Sequence, residues 1–258
     1  MVKKLCILLS FAVLPLFAAE SGTLAYHGDK AFRAGKFAVA EDFYTKALLQ
    51  SRKEADLHSE GRILIAMAEL RTQSLDMDAS EVLLHKVRKA DLDSNALAAY
   101  YLAWMHLFLE RENYGKVIEI KYSLSNAFLK QMPNGIRGDI LCASGIAFAG
   151  MENRTQAEKH LSDAEDAFDG DAPGKLLFAK ARAAALFKDL SADSLYARAL
   201  EFSIQAKRPF FSATILFYRG MACSNSEQAD DFLKRSANAF ELMGLPQNRE
   251  RAIKAVQK

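Results

Sequence analysis

The sequence predicts an all-α fold built from stacked helix pairs, and three observations carry that prediction. Beyond residue 20, apolar residues recur at spacings of three and four, with no sustained alternating run of the kind a strand requires. After residue 21, proline occurs only at Pro133, Pro173, Pro209 and Pro246, which are 40, 36 and 37 residues apart. Proline cannot continue a helix without losing a hydrogen bond and clashing with the preceding turn, so these evenly placed breaks mark units of nearly constant length. Finally, half of the 258 residues are apolar and 26% are charged, with 13 Gly and 5 Pro, so the chain can bury a core and is neither collagen-like nor disordered. An array of units need not split into domains, because its core grows with each unit added.

The first 21 residues form a segment of their own. Lys3 and Lys4 precede an apolar run of 13 residues, Leu5–Phe17, which ends in Ala18 and Ala19. A positive start, a short apolar stretch and a small-residue end make a secretory signal pattern, whereas a membrane helix needs roughly 20 apolar residues. Cleavage is expected after Ala19 or after Ser21, leaving 22–258 as one helical repeat domain with no stable membrane span. Cys6 lies at the start of the apolar run rather than just after it, so lipid anchoring is not indicated. Export to the periplasm, or secretion, is the expected location.

The remaining elements follow in chain order. In the first unit Leu24, Gly28, Ala31 and Phe32 precede Gly35-Lys36-Phe37, then Ala40, Tyr44 and Ala47-Leu48. A second unit places Ile63, Met67 and Leu70 before Ala79 and Leu83. The third places Tyr101, Trp104, Met105 and Phe108 before Val117, and the fourth Leu141, Gly145 and Phe148 before Ala157, Leu161 and Ala164. Ala192, Tyr196 and Ala199 mark the fifth, and Ala229 with Leu233 the sixth. The anchors Ala40, Ala79, Val117, Ala157, Ala192 and Ala229 are 39, 38, 40, 35 and 37 residues apart. Small residues let two antiparallel helices approach closely while large ones fill the space beside them. Gly244 and Pro246 stop the last of these helices, and Asn248–Gln257 reads as a polar capping helix.

This alternation of large and small residues resembles the tetratricopeptide repeat, in which an aromatic or Leu, a small residue and an aromatic on a first helix precede Ala-x3-aromatic on a second. The units are longer than the usual 34 residues of that family, Lys121 stands where the third should carry an aromatic, and the first helix of the sixth lacks the small residue. The resemblance implies a right-handed α-solenoid of about six helix-turn-helix repeats with a C-terminal capping helix. It further implies a concave groove, lined by the first helices, that binds a protein or peptide partner. One helical step from the packing positions lie Phe32, Arg33, Leu64, Arg71, Leu102, His106, Leu109 and Ile146, the residues expected to line the groove.

Composition and motifs bound the function. Without Lys3 and Lys4 the balance is 32 basic to 32 acidic residues, and no basic stripe of the kind that neutralises phosphates is present, so nucleic acid is not the expected partner. Cys6, Cys142 and Cys223 form no CxxC pair or zinc-ligand spacing, and no metal or cofactor is expected. The five histidines make no His-Glu-x-x-His pattern, and neither a Gly-x-Ser-x-Gly elbow nor a Gly-rich phosphate loop occurs. The expected function is therefore a non-catalytic interaction scaffold of a bacterial cell envelope. The alternative is a regulatory or substrate-recruiting subunit of an envelope enzyme complex. Leu97–Leu109 is apolar on every face except at His106, so it is covered either by its own chain or by a partner, self-association included.

Overall fold

The structure is a computed structural model that describes residues 20–170 and 172–256; of the expected signal segment 1–21, residues 1–19 lie outside the described residues, and Glu20 and Ser21 open the first helix. These form fourteen α-helices and one 3-10 turn, with no strand. Consecutive helices pair. Thus α1 (Glu20–Arg33) packs on α2 (Phe37–Lys53), α3 (Leu57–Gln73) on α4 (Met77–Lys86), and α5 (Ser94–Glu110) on α6 (Tyr114–Ser123). After the short α7 (Asn126–Gln131), α8 (Asn134–Gly150) packs on α9 (Arg154–Phe168), α10 (Pro173–Leu186) on α11 (Ala192–Gln205), and α12 (Pro209–Ala222) on α13 (Ser226–Leu242). Helix α14 (Pro246–Val256) closes the chain against α13. Pro173, Pro209 and Pro246 are the first residues of their helices and Pro133 precedes α8. The fixed φ of proline suits a first turn, whose N–H would lack a partner in any case.

One turn recurs along the chain. Eight helix connections are three residues long, and all but the one at 223–225 carry a middle residue with φ between 53° and 73°: Gly35, Ala55, Leu75, Glu112, Glu152, Lys207 and Gly244. The next residue donates its N–H to the carbonyl five positions back, as Asp56 does to Ser51 and Asn153 to Phe148, both at 2.9 Å. This left-handed termination satisfies carbonyls that the helix end leaves open. At Asp56, Asp76, Asn113 and Asn153 the same residue also caps the following helix, its side chain accepting from Ser59, Ala79, Lys116 and Gln156. A single residue thereby ends one helix and starts the next.

Small residues set the spacing within pairs. A Cβ on Gly28 would lie 2.6 Å from the Tyr44 ring, one on Gly145 2.7 Å from Leu161, and one on Gly220 2.7 Å from Leu233. The last contact corrects the expectation that the sixth pair lacks a small residue. Gly220 precedes Leu233 by 13 residues where Gly145 precedes Leu161 by 16, so a fixed offset passes over it. The second pair also packs in a different register from the one expected. Ala68, whose carbonyl accepts from Ser80 Oγ of α4 at 2.9 Å, takes the small position one residue beyond the expected Met67, while the expected Ile63 and Leu70 are themselves buried.

Two features close the molecule on itself. No residue from Ala96 to Glu110 is exposed, because α3, α4, α6 and α8 of the same chain cover α5. The first helices also meet the last. Phe37 packs on Phe210 with ring centroids 5.2 Å apart, and one apolar cluster joins Ala31, Tyr44 and Leu70 to Ala213, Leu233 and Phe240. From α14, Asn248 Nδ2 donates to the Gln73 carbonyl at 3.0 Å and Arg251 pairs with Glu110 at 2.9 Å. No helix among the described residues is long and apolar enough to cross a membrane. Cys142, buried, and Cys223, half-buried, are both free thiols.

Candidate functional site

The first helix of each pair turns one face toward a shared central cavity of about 910 Å³. The lining follows helical periodicity. Helix α5 contributes Ala99, Leu102, His106 and Leu109, α8 contributes Asp139, Cys142 and Ile146, and α10 contributes Lys175, Phe178 and Arg182. Residues spaced three and four apart share one helix face, so each helix offers a stripe rather than a single contact. Phe32 and Arg33 enter from α1, Glu69 from α3, Phe211 and Tyr218 from α12, and Arg251 from α14.

Of the residues expected to line a groove, Phe32, Arg33, Leu102, His106, Leu109 and Ile146 meet at this cavity. Leu64 and Arg71 do not. The shifted register of α3 turns Leu64 into the cluster of Leu84, Trp104 and Leu107, while Arg71 pairs with Glu41 and, at 3.6 Å, with Asp76. The residues that α3 turns inward include Arg62, Ala66 and Glu69 instead.

Several charges in the cavity are paired between helices. His106 Nδ1 lies 2.9 and 3.1 Å from the Glu69 oxygens, and Lys175 Nζ lies 2.6 Å from Asp139. The Tyr44 hydroxyl donates to Asp29 at 2.7 Å. Burial alone would lower the His106 pKa, but the charge and hydrogen bond of Glu69 outweigh it and hold the imidazole above its ordinary value. The same balance runs in reverse at Glu69, where burial opposes ionisation and His106 with Gln73 overcomes it, holding the carboxyl below its ordinary value. Burial pushes the Cys142 thiol well above its ordinary value, so the sulfur facing the cavity is an unreactive thiol rather than a thiolate.

A second cluster lies where this cavity meets a smaller one of about 480 Å³. Arg182, Tyr218 and Arg251 line both cavities. The Arg182 guanidinium stacks 3.7 Å from the Tyr218 ring centroid, and the Tyr218 hydroxyl donates to Glu110 at 3.3 Å. Arg251 donates to the other Glu110 oxygen at 2.9 Å. Burial drives the Tyr218 pKa up, so the phenol stays protonated and donates. Sequence reasoning missed this cluster because the groove positions were taken only from the first four pairs. The period marked by Pro173 and Pro209, 36 residues, carries Ile146 onto Arg182 and Arg182 onto Tyr218.

Among the described residues no three His, Cys, Asp or Glu side chains converge as a metal cluster. No protein-family model matches the chain, and no curated protein matches it.

Proposed function

We propose that the chain is a non-catalytic binding protein of tetratricopeptide architecture, a right-handed α-solenoid of about six helix-turn-helix repeats with α14 as its cap. In this reading it is exported to a bacterial cell envelope, where it receives a peptide segment of a partner protein on its concave side. The observation that carries the reading is the convergence of stripes from α1, α3, α5, α8, α10 and α12 on one cavity of mixed apolar and charged lining. Recurrent three-residue turns and the small-residue contacts of Gly28, Gly145 and Gly220 support the repeat assignment. The amino-terminal sequence supports export.

The test compares wild type with Leu102→Arg, which places a charge in the middle of the lining. Both are expressed with an affinity tag in the native host, crosslinked in intact cells, and their captured proteins identified by mass spectrometry, after thermal melts establish that the variant folds. A partner captured by wild type and lost from the folded variant is the expected result. An identical set of partners from both forms would place function elsewhere, on the convex face or the cap.

A further inference from the structure

Arg182 is 8% exposed, yet its guanidinium makes no hydrogen bond or ion pair with any described residue. Its neighbours are Tyr218, on which it stacks, the Tyr114 and Tyr196 rings, and the Glu110 carboxylate, which Tyr218 and Arg251 already engage. Two guanidinium groups therefore share one carboxylate, and the partition between the cavities carries one excess positive charge. Burial disfavours the charged guanidinium, but its surroundings, the Glu110 charge among them, outweigh that and hold it as a cation, while stacking on the Tyr218 ring leaves its N–H donors without a partner among the described residues. A bidentate carboxylate matches the planar fork in geometry and the single excess charge in magnitude, whereas a phosphate dianion would reverse the imbalance.

The surroundings define the rest of the ligand. From Arg182 the wall of the larger cavity continues as aromatic surface, with Phe178 5.9 Å from the Tyr218 ring and 5.2 Å from Phe211, centroid to centroid. Its volume of about 910 Å³ falls at the upper end of the roughly 300–1,000 Å³ typical of small-molecule sites. We propose that this partition is a carboxylate site, in which Arg182 grips the headgroup of a small amphipathic acid whose apolar body lies against Phe178 and Phe211. The proposal rests on the reading of the concave side as a ligand site and names the chemistry it selects.

Calorimetric titration of the mature chain with decanoate and with 1-decanol tests the headgroup without any substitution. Decanoate should bind at least tenfold more tightly; equal affinity, or no binding of decanoate and of a peptide with a free C-terminus alike, overturns the proposal. Arg182→Met, checked for folding by its thermal midpoint, should weaken decanoate at least tenfold. Arg182→Lys, which keeps the charge and loses the fork, should fall between the two. Unchanged affinity in both variants overturns the proposal. Decyl phosphate binding more tightly than decanoate would do so as well. A hexapeptide of alanine and leucine, with its C-terminus free or amidated, separates the sources of the carboxylate: binding of the free form alone assigns the headgroup to a peptide terminus, and binding of decanoate alone assigns it to a free acid. Peptide binding indifferent to amidation, with decanoate silent, overturns the carboxylate site while the concave-side reading stands. Loss of that reading is scored separately by Leu102→Arg.

Discussion

At His106 two opposing effects meet, burial that favours the neutral ring and Glu69 that favours the cation, and the second prevails. The stability this pair contributes therefore has a defined pH window. A histidine raised on folding contributes fully below its unfolded value, near 6.5, and loses that contribution as pH rises through its folded value. A carboxylate lowered on folding contributes fully above its unfolded value, near 4.3, and loses it as pH falls through its folded value. The pair is most stabilising between these limits. Moving from pH 5.5 to 8.5 should cost wild type about 0.5–1 kcal/mol, a figure kept small because solvent reaches the cavity. His106→Gln should flatten that dependence. His160 contributes with the opposite sign, since burial lowers its pKa, but it is common to both proteins and cancels in the comparison of thermal midpoints. His106 was legible in the sequence as the one polar residue of an apolar helix. Its partner was not, because Glu69 lies 37 residues away and the assumed register of α3 turned it outward.

At the scale of elements, the helices end where a left-handed residue can be placed rather than where glycine occurs. Only Gly35 and Gly244 among the seven left-handed middle residues are glycine, whereas Ala55, Leu75, Glu112, Glu152 and Lys207 hold the same conformation with a Cβ. For an L-residue that conformation costs about 1–2 kcal/mol, which the two closing hydrogen bonds of the turn offset. Glu152→Gly should therefore stabilise the protein by roughly 0.5 kcal/mol, the relief of strain exceeding the added freedom of the unfolded chain. Glu152 is exposed, so no packing is lost, and chemical denaturation is the measurement. A midpoint lowered by the change would mean that the side chain contributes more than its backbone costs. Helix starts at proline were easier to anticipate than these turns, because proline acts through its own fixed φ at the first turn. The short α4 and α6 were not anticipated: their pairs spend the extra length on the 3-10 turn at Lys89–Asp91 and on α7.

Across the whole molecule, the contact of the first pair with the last changes how the fold should fail. In an open array each unit touches only its neighbours, so damage at one end frays locally. Here Phe37, 5% exposed, packs on Phe32 within its own pair and on Phe210 across the closure. Phe37→Ala should cost about 3–4 kcal/mol, as truncation of a buried aromatic does. Hydrogen exchange should then show weakened protection in α12 and α13 as well as in α1 and α2. Protection lost from α1 and α2 alone would show that the closure does not couple the ends. The apolar circumference of α5 is accounted for separately, by the neighbouring helices α3, α4, α6 and α8 that cover it within the chain.

The helical class, the boundaries at the four prolines and most of the inward stripe follow from sequence, because periodicity and proline geometry act over a few residues and depend little on the remainder of the chain. The register of α3, the pairing of Glu69 with His106, and the meeting of Glu110 with Tyr218 and Arg251 do not. They join residues 37, 108 and 141 positions apart, and which groups meet at such distances depends on small rotations accumulated along the whole stack. Arg182 shows the division most clearly. Its place on the inward face is a matter of the 36-residue period, but the sharing of Glu110 between two guanidinium groups emerges only when α14 brings Arg251 to that carboxylate.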